Sequence, residues 1–146
     1  MKALFVLCSF LAGVFLWQST AQAQTSASAA TSMGRKTESP FACNRLALTP
    51  EARKRHFDEL GPKLRSMRKS VRELADGYEF EFPADPATVQ LVAEWAAGER
   101  LCCPFFNIEM RMEEENGPFW LRLTGRPGTK EFIKVDAASW TKQIGQ

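Results

Sequence analysis

Two adjacent cysteines, Cys102 and Cys103, are followed directly by Pro104, and Glu99 stands one helical turn before them. Proline pushes the residue before it towards extended backbone, so a helix carrying Glu99 has to stop at Cys103. Upstream, Val89, Val92, Trp95 and Ala96, with Leu91 alongside, lead to Glu99 in helical steps. Asp85-Pro86 supplies a capping side chain and a proline suited to the first helical position. Downstream, Phe106, Ile108, Met110 and Met112 alternate with Asn107, Glu109, Arg111 and Glu113, the pattern of a half-buried strand. The cysteine pair therefore sits where a helix ends and a strand begins.

The same reasoning places the other elements. Thr49-Pro50-Glu51 opens an earlier helix. Its stripe runs Phe57, Leu60, Leu64, Met67, Val71 and Leu74, in phase across Gly61-Pro62, which predicts one kinked helix ended by Asp76-Gly77. Its other faces carry Arg53, Lys54, Arg55, Lys63, Arg65, Arg68, Lys69 and Arg72. They read as a solvated face with pairs such as Glu51–Arg55 and Arg68–Glu73. Tyr78 to Phe82 alternates apolar and acidic residues, a strand with Tyr78, Phe80 and Phe82 inward. Asn116-Gly117 predicts a hairpin whose return strand turns Phe119, Leu121 and Leu123 inward. Thr129 is placed as the cap of a short last helix through Phe132, Ile133 and Val135. Mixed helices and strands with an antiparallel hairpin give an α+β class. The expected architecture is a two-layer single domain, helices on one face of a small antiparallel sheet. It is open to a ferredoxin-like variant if Arg45 to Leu48 forms a first strand.

Residues 1–23 read as a signal peptide: Lys2, an apolar run from Ala3 to Trp17, and the small-x-small site Ala21-Gln22-Ala23. That run is shorter than the roughly 20 residues a membrane span needs, so after cleavage the chain is not expected to be an integral membrane protein. Residues 24–40 are rich in Ser, Thr and Ala and read as a disordered leader, leaving 41–146 as the single domain. Export implies an oxidising location, most simply a periplasm. The net charge of +2 gives no reason to expect a nucleic-acid partner. Nothing in the pattern sets an oligomeric state.

Removing the signal takes Cys8 with it and leaves Cys43, Cys102 and Cys103. An odd number cannot pair fully within one chain. Adjacent cysteines seldom close on each other, because a disulfide wants Cα atoms about 5.5 Å apart and trans neighbours lie near 3.8 Å. Two readings follow. If the segment around Cys43 crosses the end of the cysteine-bearing helix, three sulfurs converge, with Glu99 as a further oxygen ligand. Such a set suits a soft metal or metalloid: mercury(II), copper(I), arsenite or zinc. Alternatively Cys43 pairs with Cys102 or Cys103 as a structural disulfide, and the remaining cysteine is a small buried hydrophobe. A thiol partner exchanging with that disulfide is a third use. Trp95 is placed as a site wall and Met110 as a possible thioether ligand, although Met110 and Met112 share the phase of the core. His56, the only histidine, reads as a surface residue of the charged helix.

No Gly-rich phosphate loop, His-Glu-x-x-His or nucleophile elbow occurs, so a binding protein is expected ahead of an enzyme. The combination of Cys43 before Leu48-Thr49-Pro50-Glu51, then Gly77-Tyr78-x-Phe80-x-Phe82, Glu94-Trp95, Glu99-Arg100-x-Cys102-Cys103-Pro104-Phe105-Phe106 and Leu121-x-Leu123-Thr124-Gly125 resembles a family of small bacterial proteins of uncharacterised activity. The match runs from Cys43 to about Phe132. That family often accompanies mercury-type and other metal-responsive regulators, and the resemblance implies thiol chemistry with heavy metals. The export signal departs from the family's usual pattern.

Overall fold

The computed structural model describes residues 38–142, so the stretch expected to be a signal peptide, and the expected leader up to residue 37, lie outside the described residues. Thr49 opens the first helical stretch as expected, accepting a hydrogen bond from the Ala52 N–H at 3.2 Å, with Pro50 at the first position. Helix α1 (Pro50–Lys54), a π-helical stretch (Arg55–Leu60) and α2 (Gly61–Met67) then follow without a break. The expected interruption at Gly61-Pro62 is absorbed by the wider turn. The Gly61 N–H bonds the His56 carbonyl five residues back, and Pro62 has no N–H to lose.

The helix does not reach Asp76. It stops at Met67, because Arg68 is extended at φ −61°, ψ 127°, and Ser70–Glu73 forms strand β1. β1 pairs antiparallel with β2 (Gly77–Phe82), Val71 opposite Phe80, and the Leu74 N–H closes the turn on the Gly77 carbonyl at 2.9 Å. Asp76-Gly77 is thus a hairpin corner, not a helix stop. Val71 lies four residues after Met67, and it faces the core from a strand as well as it would from a helix. Periodicity alone could not separate the two. Gly77 is required by crowding, since a Cβ there would lie 2.0 Å from the Leu123 carbonyl oxygen.

The second long helix, α3 (Pro86–Cys102), begins and ends as the sequence predicts. Asp85 caps it, accepting from the Thr88 N–H at 3.0 Å and the Thr88 hydroxyl at 2.6 Å. These bonds favour the ionised carboxyl and lower its pKa below the usual 3.8. A depressed folded-state pKa adds stability above the unfolded-state value, lost as pH falls through the folded one. Asp85→Ala should therefore unfold at lower urea than the parent at pH 7. The gap should shrink as pH drops below 3.8, and a gap independent of pH would show the cap to be neutral.

Strands β3 (Phe106–Met112) and β4 (Phe119–Gly125) form the expected hairpin. Its corner lies one residue earlier than Asn116-Gly117. Glu115 and Asn116 take the positive φ values of 55° and 59°, and the Gly117 N–H bonds the Glu114 carbonyl at 2.9 Å. The sheet is antiparallel, in the order β1-β2-β4-β3. One face carries the row Val71, Phe80, Leu121, Met110 and, beside it, Tyr78, Leu123, Ile108. Met112, at the end of the edge strand, is exposed instead of joining the core. On the opposite face Trp120 is buried beneath the guanidinium groups of Arg72 and Arg111, 4.4 and 5.7 Å from its ring centre.

Leu60, Leu64, Val92, Trp95 and Ile133 fill the core with Phe80, Phe82 and Phe119. Helices α4 (Thr129–Asp136) and α5 (Ala138–Thr141) complete the α+β fold. Gly128 at φ 100°, not Thr129, is the residue ahead of α4. Arg45–Ala47 is a short 3₁₀ turn and not the first strand of a ferredoxin-like arrangement. Arg68 also leaves the solvated face assigned to it. It is buried, donating to the carbonyls of Trp140 and Lys142 and tying the chain end to the helix that precedes β1.

Candidate thiol and metal site

The segment before the 3₁₀ turn crosses the C-terminal end of α3. The Asn44 N–H donates to the Cys102 carbonyl at 2.7 Å, satisfying one of the acceptors a helix end leaves open. This contact brings Cys43 to Cys103, with Cα atoms 4.6 Å apart, and the two are joined as a disulfide. The two alternatives for Cys43 are thereby resolved in favour of Cys103. Cys102 keeps a free, fully buried thiol.

Three groups crowd that thiol. The Cys103 sulfur is 3.6 Å away, and the carbonyl and Oε2 of Glu99 are each 3.7 Å away. Burial, reinforced by the Glu99 charge, pushes the Cys102 pKa up to about 12. With the helix C-terminus also opposing negative charge, Cys102 is a protonated thiol at neutral pH, not a resting nucleophile.

Glu99 is itself buried and meets His56 Nε2 at 2.9 Å. The histidine expected at the surface is only 3% exposed. Its ring lies flat on Trp95, centres 5.5 Å apart and 10° between planes, with Phe57 edge-on at 4.7 Å. Gly98 makes room for it, since a Cβ there would sit 2.6 Å from His56 Nδ1. That Nδ1 has no hydrogen-bond partner among the described residues. Arg55, next to His56, grips Glu94 of α3 through two bonds of 2.9 Å and reaches Glu59 at 3.0 Å, holding the π-helical stretch against α3. The Glu51 partner expected for Arg55 is not used. His56 was legible in one respect: His56, Leu60 and Leu64 are four residues apart and share a helical face.

Cys43, Glu99, Cys102 and Cys103 each offer a ligand atom, all within 4.8 Å of one another. The 3.6 Å between the Cys102 and Cys103 sulfurs is close to the roughly 3.8 Å that two sulfurs span on a tetrahedral ion with bonds of about 2.3 Å. The donor set is soft, three sulfurs to one oxygen, so it fits a thiophilic ion once the disulfide is opened. While closed, the site offers a thiol and a carboxyl. Trp95 walls the neighbouring cavity. Met110 lies opposite Leu121 in the sheet, on the face that carries Phe80 and Val71.

Beside the cluster is a cavity of about 540 Å³, lined by residues that include Cys43, His56, Glu99, Trp95, Phe106 and Trp140. Part of its wall comes from α4 and α5, which no local pattern brings near the cysteines. No family model, curated protein or solved structure matches the chain. Among the described residues no helix is long and apolar enough to cross a membrane.

Proposed function

We propose that this chain is an exported thiol protein that binds a soft metal or metalloid ion in its reduced state, with Cys43, Cys102 and Cys103 as sulfur ligands and Glu99 as an oxygen ligand. The observation that carries the reading is the convergence of these four ligand atoms within 4.8 Å, on segments far apart in the chain. Burial supports it further. An ion that replaces the thiol proton removes the cost of a buried thiolate by charge neutralisation, and binding should release protons. The Cys43–Cys103 disulfide is then the metal-free oxidised state. Mercury(II), arsenite, copper(I) and zinc are the ions to compare, and the resemblance to proteins accompanying mercury-type regulators favours the first.

The test is a titration of the chain, reduced with a phosphine, against mercury(II) and arsenite, read by native mass spectrometry. One ion per chain is expected, with uptake lost in the Cys102→Ser, Cys103→Ser double variant and weakened at least tenfold in Cys102→Ser alone. Circular dichroism on each variant separates lost ligands from lost fold. Undiminished uptake by a folded double variant would remove the reading.

A second reading, a domain merely stapled by its disulfide, is favoured by the closed Cys43–Cys103 bond. It predicts no uptake by the reduced parent protein. Catalytic thiol exchange through Cys102 is disfavoured by that thiol's raised pKa.

A further inference from the structure

Of the three clustered cysteines, Cys43 alone lines the cavity, whereas Cys102 and Cys103 are 0% and 1% exposed. A reagent that enters the cavity therefore meets the disulfide at Cys43. The cavity on that side is aromatic, with Phe41, Phe57, Trp95, Phe106, Phe132 and Trp140 in its wall. Its volume of about 540 Å³ lies in the range of small-molecule sites. Arg45, its guanidinium 4.0 Å from the Phe57 ring centre, lines the cavity with Arg65, Glu99 and Asp136, so charged groups of both signs share the wall with the aromatic rings.

We propose that this cavity is the binding site of a small thiol with an aromatic or branched apolar body, and that the bound thiol opens the disulfide by attacking Cys43. The entering thiolate forms a bond to Cys43 Sγ, and the Cys43–Cys103 bond breaks. The electron pair leaves on Cys103 Sγ, which takes up the proton given up by the entering thiol. One disulfide is exchanged for another, so no further oxidant or reductant is needed. The product carries the small molecule on Cys43, inside the cavity, and a free vicinal pair at Cys102 and Cys103. This deepens the metal reading, because the exchange uncovers two of its sulfur ligands. The exchange itself requires no metal.

The experiment uses the oxidised chain without metal and two probe thiols, benzyl mercaptan and 2-mercaptoethanesulfonate. Each rate is normalised to that thiol's rate on 2-hydroxyethyl disulfide at equal thiolate concentration. Reactions are stopped with acid, alkylated in denaturant and mapped by peptide mass. The expected result is an adduct on Cys43, alkylated Cys102 and Cys103, and a normalised rate roughly tenfold higher for the benzyl thiol, from burial of its ring. Ser139→Trp, at an exposed residue lining the cavity, should erase that preference while the Cys43–Cys103 bond still forms. An adduct on Cys103, no adduct, equal normalised rates, or an unchanged preference in Ser139→Trp would each overturn the proposal. The two readings fail separately. Metal uptake by phosphine-reduced protein without Cys43 adducts removes only the cavity proposal, and adducts without metal uptake remove only the metal reading.

Discussion

Cys43→Ser should lower the stability of the domain by about 4 kcal/mol. The disulfide spans 60 residues, and the loop-closure entropy it removes from the unfolded chain corresponds to roughly that amount at room temperature. The bond also fastens the segment whose Asn44 N–H covers the end of α3, so its loss should release that contact as well. Urea unfolding of the oxidised parent, the phosphine-reduced parent and Cys43→Ser checks this. The last two should coincide, and both should show a lower midpoint. A midpoint for Cys43→Ser equal to that of the oxidised parent would mean that the reduced ensemble is already constrained and that the bond serves chemistry alone.

The buried pair should give the second large effect. His56→Ala leaves the Glu99 carboxyl in an apolar setting with its 2.9 Å partner gone, and removes a ring packed flat on Trp95. Glu99→Ala leaves the imbalance on the histidine side. Each substitution should cost roughly 3 kcal/mol in the oxidised, metal-free protein. The double variant should be more stable than the sum of the two losses implies, by at least about 1 kcal/mol, because the second change removes the group stranded by the first. Additive losses in the unfolding cycle would show the two groups to be energetically independent despite their contact.

Much of this arrangement could be read before the fold was known, for local reasons. Asp85-Pro86 and Pro104 bracket α3 through backbone chemistry that acts within a few residues. The strands from Tyr78 to Phe82, Phe106 to Met112 and Phe119 to Gly125 follow their period-two pattern. Two errors share a cause. Val71 and His56 belong to a stretch whose pattern fits more than one backbone, and only contacts with distant residues decide between them. Val71 is drawn into a strand by pairing with Phe80. His56 is drawn inward by Glu99 and by the space at Gly98. The Cys43–Cys103 pairing was one of two open choices, since adjacent cysteines differ only in direction. The Asn44 contact with Cys102 fixes the approach of the partner segment. The cavity was not legible at all, because its wall joins residues from both ends of the domain.

The π-helical stretch from Arg55 to Leu60 gives the chain an unusual dependence on length. A π turn holds one residue more than an α turn, and here the surplus lies between the capped start of the helix and the core contacts of Leu60 and Leu64. Deleting a single residue there would leave the leucines and the disulfide in place. It would also turn His56, and the capped start with it, around the helix axis relative to Glu99. In a shortened sibling of this chain, the same fold would stand with the acid behind its thiols unaccompanied. The partnership between His56 and Glu99 therefore depends on residue count as much as on residue identity.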